Sequence, residues 1–297
     1  LRGYGAIRNM GLAVAATFGH DSVVFLDDDE VVLNEDFLID ALYGLGNSNR
    51  QGIPIIAKSG YYLDGRDLPF ASDEKPRWCD RYWSKRREFN LWMQHALSNT
   101  RICRSNIVCG GCFVVSAQAY TKVAFDPTIT RGEDQDYLFN LRMHGIDVWF
   151  DGKWYVRHMP PEIPSHASRF LQDVYRWCYE VAKLDRCNSA IGLRQIRPSA
   201  LMPYPAPWIG EGVYNRIART SLRRAISCHE HLSYLYIWLY GRKRAQEWAV
   251  HESAGYLSFQ TYWPRVMALL WDNTVLARRL QETGTPKRFD AARSIER

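Results

Sequence analysis

The sequence predicts an α/β domain with a cluster of acids at one strand end, followed by an all-helical region, and three stretches predict it. V-V-F-L, residues 23–26, is a short continuous apolar run, the pattern of a strand buried on both faces, and it leads directly into Asp27, Asp28, Asp29 and Glu30. The residues before it, 3–18, read as a helix ended by Gly19, so helix and strand form the second half of a β-α-β unit. From Ala167 the character changes: Phe170, Val174, Trp177, Cys178, Val181 and Leu184 recur at helical spacing on one face.

The acids at 27–30 sit where the strand ends, and in an open α/β sheet that rim is where ligands bind. Closely spaced carboxylates repel one another, and a hard divalent cation bridging to phosphate oxygens relieves the repulsion. A polar turn capping the next helix needs one acid, whereas four occur here in a row.

Composition narrows the class. With 297 residues, 46% of them hydrophobic and 24% charged, the chain is globular rather than disordered. Its net charge of +6 includes basic clusters at 75–104 and 194–224, which read either as solvated faces or as contacts for phosphates, an anionic acceptor or an anionic membrane surface. No nucleic-acid-binding module is present, so nucleic acid is not expected as a partner. Seven cysteines, an odd number without a repeating frame, point to reduced thiols and a cytoplasmic protein. Cys109 and Cys112 form a C-x-x-C around Gly110-Gly111, with no second pair at zinc-site spacing. Neither a signal peptide nor a membrane-spanning apolar run is read.

In order along the chain, Ile7, Leu12, Ala15 and Ala16 are expected to pack the first helix on the sheet. Residues 34–45 read as a helix, 53–62 as a strand, and 64–75 as turns. Residues 76–100 carry Trp78, Tyr82, Trp83, Phe89 and Trp92 between basic residues, a partly helical stretch whose rings suit either a sugar face or the core. Residues 106–116 read as a strand interrupted by Gly110-Gly111, a sign of a bulge or of close backbone approach to a ligand. Gly132 precedes a short helix with Glu133, Asp134 and Asp136 in its first turn, ended by Gly145. A strand over 148–156 leads to Arg157-His158. Helices are expected over 213–240 and 245–281, the first preceded by a proline-rich loop, and a polar tail after Gly284. Tyr234, Tyr236, Trp238 and Tyr240 beside Arg242-Lys243-Arg244 suit an interfacial helix, a core helix or a dimer seam.

The stretches I-R-N-M-G (7–11), F-L-D-D-D (25–29), G-G-C-F-V-V-S (110–116), F-D-P (125–127), G-E-D-Q-D-Y (132–137) and V-R-H (156–158) occur in one order. That order resembles the GT-A glycosyltransferases, especially family-2-like enzymes, over about residues 3–160. The resemblance implies a GT-A, Rossmann-like nucleotide-diphospho-sugar transferase domain over 1–165, with its first strand and helix missing from the chain as given. A helical domain over 166–283 and a polar tail over 284–297 would follow.

It also implies roles. Arg8, Asp27, Asp28, Gly110 and Gly111 would hold the donor, a nucleotide-diphosphate sugar, with Asp27 towards the ribose. Asp29, with Asp27 and His158, would hold Mn²⁺ or Mg²⁺ on the diphosphate. Glu133 and Asp134 would be the catalytic pair, Asp134 acting as general base in an inverting reaction. The acceptor hydroxyl would belong to a carbohydrate, a lipid-linked molecule or a small molecule, and the C-terminal helices would hold it, pair two subunits or touch a membrane peripherally. Two other readings fit parts of the chain: a haloacid-dehalogenase-like phosphohydrolase built on Asp27-x-Asp29, and a non-catalytic scaffold with a transferase fold.

Overall fold

The structure is a computed structural model that describes residues 3–72 and 75–284. The expected polar tail, but for its first residue, lies outside the described residues. The architecture is mixed α/β: a six-stranded mixed sheet with helices on both faces.

Helix α1 (Tyr4–Thr17) buries Gly5, Asn9, Leu12, Ala15 and Ala16, a stripe at helical spacing. Ile7, expected on that stripe, is 58% exposed and lies on the opposite side. Gly5 is required where the helix crosses the chain at Asp126, because a Cβ there would meet the Asp126 carbonyl oxygen at 2.2 Å. Asn9 completes the docking, donating to the Phe125 carbonyl at 2.8 Å and accepting from the Phe125 N–H at 2.9 Å. The motifs around residues 9 and 125 therefore meet as two halves of one joint, and Arg8 is aimed by it.

Strand β1 (Ser22–Phe25) pairs antiparallel with β5 (Phe113–Ser116), which pairs with β3 (Ala57–Leu63). β3 runs parallel to β6 (Trp149–His158), and the two-residue β2 (Glu30–Val31) pairs with the end of β6. β4 (Ile102–Arg104) pairs with the beginning of β6. Contrary to expectation β1 is half-buried, because it forms the edge of the described sheet and has one neighbouring strand. The register between β3 and β6 shifts at Gly60, whose missing Cβ would lie 2.2 Å from the Trp154 carbonyl oxygen.

Side-chain alternation along β5 sends Phe113 and Val115 into one apolar cluster and Val114 into the other. The second cluster lies under α2 (Phe37–Leu42) and α3 (Arg86–Ser98), with Phe37, Trp92 and Met93 against Phe150 and Trp154. The first is larger. It joins α1 and α5 (Glu133–Met143) to α6 (His166–Asn188), α7 (Gly212–Ser227) and α9 (Arg242–Leu270) in one continuous core. A short helix, α4 (Ala117–Tyr120), follows β5. The loop after it is held by α9: Trp263 donates to the Tyr120 carbonyl at 2.8 Å, and Gln260 bridges the Lys122 carbonyl and the Ala124 N–H.

Several boundaries differ from the expected ones. Residues 106–112 are not strand: Cys112 N–H bonds the Cys109 carbonyl at 2.9 Å, turning the chain through Gly110-Gly111 before β5 begins. The helix over 34–45 is shorter. The stretch over 213–240 breaks after Ser227, restarts as α8 (His231–Tyr236) and runs through a π-helical turn into α9. The stretch over 245–281 breaks at Asp272, which takes a left-handed φ of 49°, and continues as α10 (Thr274–Gly284). All seven cysteines are free. Burial pushes the Cys109 and Cys112 thiols up, away from the thiolate that metal or redox chemistry needs. Among the described residues no helix is long and apolar enough to cross a membrane.

Candidate functional site

Four backbone segments meet at one rim of the sheet: the end of β1, the turn 109–112, the start of α5 and the end of β6 with β2. Arg8 reaches in from α1 and joins three of the sequence motifs with one guanidinium. Its Nη2 donates to both Asp27 carboxylate oxygens at 3.0 Å, its Nε to Glu133 Oε1 at 3.0 Å, and its Nη1 to the Gly110 carbonyl at 3.1 Å. Burial alone would lower the Arg8 pKa, but Glu133, Asp27 and Asp134 outweigh it and hold the group above its ordinary value. Glu133 is buried, and burial pushes its carboxyl up, as does the charge of Asp134, with Arg8 opposing.

Asp134 is half-exposed beside this pair. Its Oδ1 accepts the Gln135 N–H at 2.7 Å, a fit to the first turn of a helix, where amide groups have no intrahelical acceptor. Gly110 threads between Asp134 and Arg8: a Cβ there would lie 2.6 Å from Arg8 Nη2 and 3.3 Å from Asp134 Cβ. Only backbone fits.

On the other side of the turn the same holds for Gly111, where a Cβ would lie 1.8 Å from Glu30 Oε2. The Gly111 N–H donates to the Tyr62 hydroxyl at 2.9 Å, and the Tyr62 ring stacks on His158 with centroids 4.8 Å apart. Glu30 Oε2 accepts the Asp27 N–H at 3.0 Å, whereas its buried Oε1 has no partner. Burial pushes the Glu30 carboxyl up. Pairing of Glu30 with His158 across β2 and β6 brings Asp29 to the imidazole, with His158 Nε2 and Asp29 Oδ2 3.3 Å apart and each side chain about a third exposed.

Of the residues singled out by sequence, Arg8, Asp27, Gly110, Glu133 and Asp134 therefore share one corner of the site, and Asp29, His158 and Gly111 the next. Asp28 points to solvent. Asp27, expected in the metal set, accepts from Arg8 through both oxygens and keeps further lone pairs on each. Among the described residues no three His, Cys, Asp or Glu side chains are gathered as a metal group. The Asp29 carboxylate oxygen suits Mn²⁺ or Mg²⁺, and the His158 imidazole nitrogen beside it suits Mn²⁺ the better of the two, the remaining positions being of the kind that diphosphate oxygens and water fill.

Sequence reasoning did not assign Glu30 or Tyr62. Glu30 was visible as the fourth acid of the run, but the signal for its role, its fit against Gly111, joins residues far apart in sequence. Tyr62 gave no local signal. No protein-family model matches this chain, and no curated protein matches it significantly.

Proposed function

We propose that the protein is a metal-dependent glycosyltransferase of the GT-A type, which moves a hexose from a nucleotide-diphosphate sugar to an acceptor hydroxyl. The observation that carries the reading is the Arg8 guanidinium, which ties the I-R-N-M-G, D-D-D, G-G and G-E-D motifs into one corner at the rim of a mixed α/β sheet. Motifs that match by chance have no reason to converge.

Asp29 and His158 would hold Mn²⁺ or Mg²⁺, which when bound offsets the charge developing on the departing nucleoside diphosphate. Asp27, fixed by Arg8, is placed to accept hydrogen bonds from a ribose. The bare turn of Gly110-Gly111 gives the donor sugar a floor without side chains. Asp134, half-exposed and adjacent, takes the proton of the acceptor hydroxyl as its oxygen attacks, if the reaction inverts. Glu133 is engaged with Arg8 and acts by positioning it.

Calorimetric titration of UDP and GDP, with and without Mn²⁺, on the full chain and on Asp29→Ala tests the reading. One nucleotide is expected to bind only with metal, and Asp29→Ala to lose that binding. Absence of binding for both would sink it.

A further inference from the structure

Beyond Asp134, away from Arg8, lies a second charged cluster that the donor chemistry does not use. Arg176 on α6 is only 9% exposed, and its Nε has no hydrogen-bond partner. The guanidinium lies over the Trp177 ring at 4.6 Å from its centroid. Lys85 Nζ lies 4.7 Å from the centroid of the same ring and 5.2 Å from that of Trp208. Arg131, just before α5, and Arg169, one turn along α6, complete the group.

Among the described residues Asp173 makes the cluster's one ion pair, while Asp134 and Glu180 act on Arg176 without bonding it. Asp173 Oδ1 is 2.7 Å from Arg131 Nη1, and among the described residues no carboxylate lies within ion-pair distance of Lys85 or Arg176. Burial pushes Lys85 down to about 8, with Arg176, Arg131 and Arg169 adding to the shift and Asp173 opposing it. Burial alone would raise the Asp173 carboxyl, yet the surrounding cations hold it below its ordinary value. Burial alone would lower Arg176, yet Tyr204, Asp134, Glu180 and Asp173 hold it above its ordinary value; none of them bonds its Nε, and an oxyanion bound by two N–H groups is the partner that a guanidinium's geometry suits.

The position is also specific. Gly132, with φ 73°, is the residue before α5, and a Cβ on it would lie 2.0 Å from Arg176 Cζ. Arg176 is thus packed against the backbone two residues from Asp134, beside the amides that open α5.

We propose that this cluster receives the acceptor, and that the acceptor carries an oxyanion, a carboxylate or a phosphate monoester, close to the hydroxyl that is glycosylated. The assignment rests on the glycosyltransferase reading of the site. Arg176, Lys85 and Arg131 hold the anion, and the neighbouring hydroxyl falls to Asp134.

The test is calorimetric titration of the full chain with glycerol, glycerate and glycerol 3-phosphate in the absence of nucleotide. Glycerate or glycerol 3-phosphate is expected to bind where glycerol does not, and the tighter of the two identifies the anionic group. Arg131→Gln and Lys85→Met, at partly exposed sites, should weaken that binding ten-fold or more, and Arg176→Gln should abolish it. If the anions bind no better than glycerol, or bind equally well to Arg131→Gln and Lys85→Met, the assignment is overturned. Metal-dependent nucleotide binding is read on the same samples: its persistence while anions fail removes only the acceptor assignment. Its absence removes the transferase reading, and the acceptor role with it, whatever the anions do.

Discussion

Glu133 and Asp134 open α5 on the side of the rim, while Asp136, in the same first turn, faces α6 in the interior, and the two sides treat their acids in opposite ways. Asp136 is fully buried; its Oδ1 accepts from Lys183 Nζ at 2.5 Å and its Oδ2 from Asn140 at 2.9 Å. Asp126 shares the same lysine at 2.8 Å and accepts from the Tyr179 hydroxyl at 2.7 Å. Lys183 lies 3.7 Å from the centroid of the Tyr256 ring, so α5, α6 and α9 meet on one ammonium group. Glu180, the remaining acid there, has neither oxygen paired, and burial, with the Asp136 charge, pushes it up towards the neutral form. At the rim, by contrast, Asp134 is half-exposed, and Asp29, about a third exposed, faces only an imidazole. One group of acids is closed by pairing and neutralisation and the other is left open, which is the physical difference between an anchor and a reactive site.

The largest effect is expected at the anchor. Lys183→Met leaves Asp126 and Asp136 buried without their cation, a loss of about 3–5 kcal/mol. Set against the roughly 5–15 kcal/mol that hold a domain together, much of the protein would unfold well before the wild type in a denaturant titration. A loss under about 1 kcal/mol would break the contrast, since the interior acids would then not depend on Lys183. The next effect is at the rim. Asp134→Asn should lower turnover by about 10²–10⁴ with the denaturation midpoint unmoved, because the side chain is half-exposed and makes one local hydrogen bond. If it instead destabilises the fold as Lys183→Met does, both sides of α5 are structural.

How much of this was legible follows from what each residue touches. The apolar run into β1, the glycine-bounded α5 and the amphipathic α6 announce themselves through short-range periodicity, and all three elements form. The turn at 109–112 reads as strand because its apolar neighbours look like one, and the contact that turns Gly110-Gly111 aside, Tyr62 on the Gly111 N–H, comes from another strand. Ile7 looked inward because it is apolar, yet the docking of α1 is decided by Gly5 and Asn9, the first a missing side chain and the second a polar one. The candidate acids were visible individually; that Arg8 binds Asp27 depends on the helix approach that Gly5 permits. Arg176 left no trace in the pattern, being a charged residue beside Trp177 on a helix whose apolar face was already accounted for.

The smallest effect separates the second charged cluster from both groups of acids, because there the cations, not the acids, outnumber their partners. Lys85 titrates near 8, depressed by burial and by Arg176, Arg131 and Arg169, with Asp173 the opposing charge. A lysine whose folded pKa lies below its ordinary 10.5 binds fewer protons folded than unfolded between those values. It therefore costs stability below about 8, and the cost is relieved as pH rises towards 10.5. Over the same interval the cluster loses one positive charge, so affinity for glycerate or glycerol 3-phosphate should fall as stability rises. Denaturation midpoints and anion titrations at pH 7, 8.5 and 10, each taken as the difference between wild type and Lys85→Met, check the pair of trends. The two slopes must have opposite signs if Lys85 is held charged for a ligand, and a slope of the same sign in both would mean that the ammonium is there for the fold alone.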